Sequence, residues 1–287
     1  TACVNCLEYG VGASGLCENS FVYGLPYEEL GMGGRAVMSS SIEEAPYIKG
    51  GFSEYLYILP GTFIWQVPDD MPDSIASLLD PMSVAMRTVE LAQRTPGVFE
   101  DSFNLNSTVL VNGDGQIGAL TAACARTLGV KNIIISGGRW ERLELAKKIS
   151  GADCIMNYHD QSLEERKEIV NSYTNGKGAD VIFQCAGTAN AFREAISFLK
   201  AVGTFVEAGN IAESVPVSFD PARDLCCKHA TYVGMSVNTP NTFNKGFQML
   251  RKWRELHLEE LFTHRCTIDT LLAVSYTHLT LPPNSLV

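Results

Sequence analysis

Three glycines at a fixed spacing mark the segment of this chain best suited to holding a ligand. Gly113, Gly115 and Gly118 form the pattern G-x-G-x-x-G directly after the β-prone run Thr108–Val111. An apolar stripe at helical spacing follows, formed by Ile117, Leu120, Cys124 and Leu128. A strand, a tight turn and a helix in this order predict a dinucleotide site, where free N–H groups at a helix N-terminus meet a pyrophosphate.

Each of the three positions in this turn requires glycine for a different physical reason. Gly113 lets the chain turn without a Cβ clash, Gly115 lets the backbone approach the pyrophosphate, and Gly118 lets helix and strand pack closely. The candidate cofactor-binding residues of the turn are Gly113, Gly115, Gln116, Ile117 and Gly118. The alternative is a strand-to-helix turn that binds nothing. The agreement of strand, spacing and helix favours the dinucleotide.

The end of the second strand carries a further signal about the cofactor. An acidic residue about twenty positions beyond the turn would accept a hydrogen bond from the ribose 2′-OH of NAD. Here Ile133–Ile135 is followed by Ser136, Gly137, Gly138 and Arg139. The acid is absent, and Arg139 could pair with a 2′-phosphate. Gly137, Gly138 and Arg139 therefore favour NADP over NAD; the alternative is a solvated arginine and a site indifferent to the 2′ group.

The elements that position this turn alternate strictly from Thr108 onward. Strands are predicted at Thr108–Val111, Asn132–Ile135, Cys154–Asn157, Asp180–Phe183, Thr204–Glu207 and Ala230–Val233. Helices are predicted between them, at Trp140–Ile149, Leu163–Tyr173 and Ala189–Leu199, and a last one at Asn241–Leu256. This alternation predicts an α/β fold with a doubly wound, parallel, six-stranded Rossmann sheet.

The part of the chain before this sheet has a different character. Residues 1–70 are rich in glycine and proline, and Ser53–Leu59 predicts a strand. Residues 74–93 predict a helix that Pro81 interrupts.

Composition excludes some functions. With 287 residues and 46% apolar residues, the chain can form two domains with a large core. The net charge of −10 argues against nucleic acid as a partner, and we find no membrane-spanning apolar stretch and no signal peptide. The nine cysteines then predict thiols or metal ligands of a cytoplasmic protein. Cys3 and Cys6 are spaced as a zinc clamp, with Cys17 as a possible third ligand.

Several stretches together resemble the zinc-dependent medium-chain dehydrogenase/reductase family of the alcohol, sorbitol and threonine dehydrogenase type. They lie between Thr1 and about Ala273 and read CVNCLEYGVGASGLCEN, GGFSEYLYILPGT, VLVNGDGQIG, ERLELAKKISGAD, NGKGADVIFQCAG and LFTHRCTID. The resemblance implies a partial, β-rich, GroES-like catalytic domain beside the nucleotide domain. It implies catalytic-domain residues 1–95, truncated at the N-terminus, a Rossmann domain at 96–243, and a return into the catalytic domain at 244–273. Residues 274–287 are expected to be a non-native tail.

The resemblance also implies zinc ligands. Cys3, Cys6 and Cys17 fall on three of the four cysteine positions of the family's structural zinc lobe, and Tyr9 stands at the remaining one. Asp80, before Pro81, matches a ligand position of the catalytic zinc; its alternative role is a helix cap. The other catalytic ligands are expected upstream of Thr1.

The implied activity is hydride transfer between an alcohol or polyol, or the corresponding carbonyl, and NADP or NAD, with zinc assisting. A zinc-independent quinone or enoyl reductase and a catalytically incomplete nucleotide-binding fragment remain as alternatives. A small-molecule substrate and a homo-oligomer, dimeric or tetrameric, are expected as well.

Overall fold

A computed structural model describes most of the chain from residue 62 onward and short pieces before it. The described residues are 21–23, 38–40, 47–48, 51, 53–58, 62–94, 103–210, 215–236, 238–267 and 269–270. The chain forms two compact units. One comprises residues 1–68, 237–240 and 262–287, and the other residues 69–236 and 241–261. The predicted domain bounds stay predictions.

The described strands of the first unit form a small parallel pair. Strand β1 (Phe21–Tyr23) lies beside β2 (Met38–Ser40), with Val22 opposite Ser39. The predicted strand at Ser53–Leu59 is wrong over Ser53–Ile58, where the backbone is irregular, and Leu59 lies outside the described residues. Tyr55 in this stretch is 75% exposed. The β-prone residues of this segment therefore do not form a strand that packs on a core.

The second unit is built on a fully parallel six-stranded sheet in the order β5-β4-β3-β6-β7-β8. The strands are β3 (Thr108–Asn112), β4 (Asn132–Gly137), β5 (Cys154–Asn157), β6 (Ala179–Gln184), β7 (Leu199–Glu207) and β8 (Thr231–Gly234). The strand order runs outward in both directions from the β3/β6 pair, as in a doubly wound Rossmann fold. The predicted fold class is confirmed.

Helices follow the strands as the sequence predicts. They are α1 (Asp73–Ala76), α2 (Leu79–Arg94), α3 (Gln116–Thr127), α4 (Trp140–Ser150), α5 (Leu163–Thr174), α6 (Ala189–Ser197) and α7 (Pro240–Leu250). A π-helical turn (Pro221–Cys226) and a 3₁₀ turn (Leu258–Leu261) complete the unit. Among the helices that the structure describes, none is both long and apolar enough to cross a bilayer.

The helix predicted over residues 74–93 is broken at a different place from the one predicted. The break falls at Ser77–Leu78, between α1 and α2, and Pro81 lies inside α2. Pro81 is the third residue of that helix, where its missing N–H has no intrahelical partner to lose. The predicted interruption at Pro81 is therefore wrong. The last predicted helix is also too long, since α7 ends at Leu250 rather than Leu256.

The core of the second unit lies on both faces of the sheet. On one face, Leu110, Ile134 and Ile182 pack with Val170 of α5 and Ile196 of α6. On the other face, side chains at alternate strand positions such as Val109 and Ile133 are fully buried. Helices α2, α3 and α4 pack against one another in sequence, and the Cys124 thiol lies 3.7 Å from the Met82 sulfur. Cys124 is fully buried, as expected for a residue on the apolar stripe of this helix.

Candidate functional site

Backbone hydrogen bonds join neighbouring strands and the loops that follow them along the carboxyl edge of the sheet. Gly113 N–H donates to the Ser136 carbonyl (2.8 Å) and Tyr158 N–H to Gly137 (3.0 Å). Toward the other side, Cys185 N–H donates to the Asn112 carbonyl (2.8 Å) and Ala208 N–H to Gln184 (2.9 Å). The loops that leave this edge therefore start from fixed positions. Ligands of open α/β sheets bind at this edge, beside the point where the strand order reverses.

The glycine turn lies at that point, after β3. Gly113 has φ +135°, which disfavours L side chains, and a Cβ there would lie 2.9 Å from the Cys185 carbonyl carbon. A Cβ on Gly118 would overlap the carbonyl oxygen of Gly113. Both glycines are therefore required by the protein's own packing, as the sequence predicts.

Gly115 differs from the other two glycines of the turn. A Cβ on Gly115 would meet no atom of the described residues within 4 Å, and Gly115 is the N-cap of α3 without a side-chain capping bond. Gln116 is exposed and Ile117 half-buried in the first turn of that helix. The protein leaves space above Gly115, beside free helix N–H groups, and this is the shape and polarity that a pyrophosphate needs.

Asp114 joins this turn to the end of the second strand. Its Oδ2 accepts hydrogen bonds from the backbone N–H of Gly138 (2.9 Å) and of Arg139 (2.9 Å). The predicted residues Gly137, Gly138 and Arg139 are thus brought next to Gly113–Gly118. The sequence analysis missed Asp114, because the contact spans 24 and 25 residues and depends on β3 pairing with β4.

The two glycines at the end of β4 are required by close contacts with other side chains. A Cβ on Gly137 would lie 2.6 Å from the Asp114 Cγ and Oδ2, and one on Gly138 would lie 2.5 Å from the Tyr158 Cζ. The prediction of NADP assumed that this loop lacks a carboxylate. The loop itself carries no carboxylate, but Asp114 of the glycine turn brings one against it. The preference for NADP stays a prediction.

A buried amide pair fixes the two strands at the reversal point. The Asn112 side-chain amide donates to Gln184 Oε1 (2.6 Å) and to the Ala191 carbonyl (3.0 Å). The Gln184 amide in turn donates to the Ala186 carbonyl (2.8 Å). Each bond ties a strand end to the loop or helix that follows β6. The sequence analysis did not single out either amide, since one amide alone carries no signal.

The loop after β7 contains a buried carboxylate. Glu207 Oε1 accepts from the backbone N–H of Gly209 (2.8 Å) and Asn210 (2.8 Å). Its Oε2 is buried and has no hydrogen-bond partner among the described residues. Burial raises the pKa of the Glu207 carboxyl, although these bonds partly offset the rise. Burial also raises the pKa of the nearby Cys185 thiol to about 12, so that Cys185 is a neutral thiol at physiological pH.

The predicted zinc ligands are only partly described. Cys3, Cys6 and Cys17, with Tyr9, lie outside the described residues. Asp80 is exposed in the first turn of α2. Within the described ranges, no group of three or more His, Cys, Asp or Glu side chains could hold a metal ion. The described residues thus offer one of the predicted ligands and no completed zinc centre.

The fold and the glycine turn define the class of dinucleotide-binding Rossmann proteins, and comparisons with known proteins narrow it. The family described as zinc-binding dehydrogenase matches residues 117–252. L-threonine 3-dehydrogenase of Anaeromyxobacter sp. strain K is 28% identical over 221 residues, which is 77% of this chain and 58% of that protein. D-xylulose reductase A of Aspergillus oryzae is 30% identical over 164 residues, 57% of this chain and 43% of that protein.

A solved structure agrees. The crystal structure of an alcohol dehydrogenase from Thermotoga maritima superposes with a TM-score of 0.73 at 27% identity, covering 82% of this chain and 63% of that one. These matches support the resemblance to the zinc-dependent medium-chain dehydrogenase/reductase family seen in the sequence. It spans just over half the length of the first curated relative that it matches.

Proposed function

We propose that this chain binds a nicotinamide dinucleotide, NAD or NADP, as part of an oxidoreductase that moves a hydride between an alcohol or polyol and the nicotinamide. The observation that carries the proposal is the open space above Gly115, at the N-terminus of α3 and beside the reversal of strand order. When bound, the nicotinamide supplies the hydride chemistry, and the protein supplies binding and orientation.

The residues of the site divide this task. Gly113 and Gly118 set the shape of the turn, and Gly115, Gln116 and Ile117 offer backbone N–H groups to the pyrophosphate. Gly137, Gly138 and Arg139 face the ribose end of the dinucleotide. The buried amide pair of Asn112 and Gln184 holds the loop after β6 in place, at the edge of the sheet where the nicotinamide belongs.

The proposals for the substrate and for zinc rest on the similarity of this chain to known dehydrogenases. The relatives named above are dehydrogenases or reductases of a hydroxy amino acid, a sugar and alcohols, so a secondary alcohol or polyol is the substrate class we propose. Zinc, with Asp80 and the cysteines Cys3, Cys6 and Cys17 as proposed ligands, rests on the same kinship. We also propose a homo-oligomer and a cytoplasmic location. Light scattering on the purified chain measures the former, and cell fractionation tests the latter.

A substitution at Gly115 tests the dinucleotide site. Gly115→Val places a side chain in the open space above the turn, so we expect the Kd for NAD and NADP, measured by isothermal titration calorimetry, to rise about tenfold or more. Stability should fall only by the roughly 1 kcal/mol typical of a poor helix N-cap, because no atom of the described residues lies within 4 Å of the new Cβ.

Two other glycines serve as controls. A Cβ added to Gly51 would also meet no atom of the described residues within 4 Å, so Gly51→Val controls for β-branching at an open glycine and should keep its affinity. Gly118→Ala should instead lower stability, since its Cβ overlaps the Gly113 carbonyl. Failure of the unmodified chain to bind either dinucleotide would overturn the proposal. The substrate class is tested separately, by supplying NAD or NADP with secondary alcohols, including L-threonine, and following reduced nicotinamide by absorbance.

A further inference from the structure

We propose that Asp114 is the carboxylate that reads the ribose 2′ position, and that it makes this site selective for NAD against NADP. The inference rests on the proposed function, since it assumes that a nicotinamide dinucleotide binds at the glycine turn. It reverses the cofactor order that the sequence alone predicts, because that order took the loop after β4 to be free of negative charge.

The first observation is the position of the Asp114 side chain. Dinucleotide folds place a ribose-binding acid at the end of the second strand, which in this chain is Gly137. A Cβ at Gly137 would lie 2.6 Å from both the Cγ and the Oδ2 of Asp114. The Asp114 side chain, from its Cβ to its carboxylate, therefore fills the volume in which the side chain of a strand-end acid would begin. The acid lies in the glycine turn instead of at the strand end, and its carboxylate is held against the backbone that follows that strand end.

The second observation is the way in which this carboxylate is held. Oδ2 accepts from the N–H groups of Gly138 and Arg139, directly before the first residue of α4, Trp140. Backbone N–H groups at a helix N-terminus are the donors that a phosphate would use. An internal anion already uses both of them, so a 2′-phosphate would have to displace Asp114 or approach it as a like charge.

The third observation concerns the other carboxylate oxygen. Both bonds of Asp114 that the described residues provide go to Oδ2, and the residue is only half-buried. Oδ1 is left as an acceptor for the ribose 2′-OH. A hydrogen bond from a hydroxyl to an ionised carboxylate is stronger than a neutral one. The 2′-hydroxyl of NAD therefore gains binding energy from Asp114, whereas the 2′-phosphate of NADP is repelled by it.

Arg139 acts in the opposite direction. Its side chain is exposed and could attract a 2′-phosphate, while its backbone N–H is bonded to Asp114. A flexible, solvated guanidinium gains less from an ion pair than a fixed carboxylate loses by facing a phosphate at close range. The geometry therefore favours NAD, and Arg139 reduces the difference in affinity between NAD and NADP.

The experiment measures Kd by calorimetry for NAD, NADP, adenosine 5′-monophosphate and adenosine 2′,5′-bisphosphate, the last two differing only in the 2′-phosphate. For the unmodified chain, we expect NAD to bind about 10–100-fold more tightly than NADP, the range for hydrogen bonds to charged groups. Asp114→Asn keeps an oxygen that can accept from Gly138 and Arg139 and removes the charge. It should lower this ratio about tenfold or more, mainly through tighter binding of NADP.

Glu141→Gln is the matched control, because it removes another acidic charge from the first turn of α4 and should leave the ratio unchanged. The double variant Asp114→Gly with Gly137→Asp returns the acid to the strand end and should restore the selectivity that Asp114→Gly alone loses. Circular dichroism shows whether each variant is folded.

The outcomes separate the two proposals. NADP binding as tightly as NAD to the unmodified chain, or a ratio that Asp114→Asn leaves unchanged, would overturn the role of Asp114 while the site itself stands. Binding of neither dinucleotide would overturn the proposed function instead. Because the ratio in the unmodified chain is decisive by itself, a variant that fails to fold does not remove the test.

Discussion

At the scale of single residues, Glu207 links the stability of this protein to pH. Burial raises the pKa of its carboxyl above the ordinary value of 4.5. The folded state therefore holds the proton more tightly than the unfolded state does. This contribution to stability is fully present below the unfolded pKa and is lost as pH rises through the folded pKa.

We therefore expect Glu207→Gln to become progressively more stable, relative to the unmodified chain, as pH rises from about 4.5 toward neutrality. The new side-chain amide can still accept from Gly209 and Asn210 through its remaining oxygen. Thermal midpoints measured across this pH range give the difference. Glu144→Gln removes an exposed carboxylate and should show no such trend. A difference between Glu207→Gln and the unmodified chain that is independent of pH would contradict the prediction.

Sequence reasoning located the glycine turn and missed its carboxylate. The spacing of Gly113, Gly115 and Gly118 carries its own meaning, since each position answers a local steric demand. Asp114 occupies the first x of the G-x-G-x-x-G pattern, a position at which the pattern specifies no residue type. Its role depends on the loop after β4, which reaches it only once the two parallel strands have paired. A contact of this kind has no periodicity or spacing that the sequence could display.

At the scale of elements, an ion pair fastens α5 to α6. Arg166 is 3% exposed and binds Glu194 with both terminal guanidinium nitrogens; one of these bonds, Nη1 to Oε2, is 2.8 Å. Its Nε also donates to the Gln161 carbonyl at 3.2 Å. A buried arginine left without its carboxylate is strongly destabilising. This pair therefore matters more than an exposed one of similar length.

We expect Glu194→Gln to lower the free energy of unfolding by about 3 kcal/mol, since it leaves the Arg166 charge buried and uncompensated. Urea unfolding, with the slope compared between variants, measures the change. The pair of Lys167 and Glu164 on α5 is the comparison, because the Glu164 side chain is 78% exposed. Glu164→Gln should cost less than about 0.5 kcal/mol. Equal losses for the two variants would show that burial of Arg166 contributes nothing.

Element boundaries were predictable where local chemistry sets them. Strand β5 has the predicted bounds, Cys154–Asn157, and α5 begins at the predicted Leu163 behind a capping box of Ser162 and Glu165. Strand β7 begins at Leu199 rather than at the predicted Thr204, because its first residue pairs with Ala179 across an irregularity in register. Pairing between distant strands decided that boundary.

At the scale of the whole molecule, the sequence was sufficient to predict the class of sheet, a doubly wound parallel one. The strict alternation of strands and helices requires parallel pairing with right-handed crossovers, which leaves few arrangements. The zinc ligands were not testable in the same way. The cysteines named for them lie outside the described residues, and Asp80 alone fixes no metal geometry.

Binding of a dinucleotide should stabilise the unit formed by residues 69–236 and 241–261, which contains the whole candidate site. At a concentration of NAD about 100 times its Kd, we expect about 2.7 kcal/mol of added stability, provided that the unfolded chain does not bind it. Differential scanning calorimetry at increasing NAD measures the rise in the thermal midpoint. Nicotinamide alone should have no comparable effect. A midpoint that does not depend on NAD concentration would contradict the prediction.

The steric overlap between Asp114 and a side chain at position 137 has a consequence for how this site can change over evolutionary time. Asp114 and any residue larger than glycine at position 137 exclude each other, because a Cβ at Gly137 would overlap the Asp114 side chain from its Cβ outward. Gly137 cannot gain a side chain while Asp114 is present, whereas Asp114→Gly first frees the volume that a side chain at position 137 needs. Lineages related to this chain should therefore carry the two positions as a linked pair: an acid in the turn with glycine at the strand end, or glycine in the turn with a side chain at the strand end.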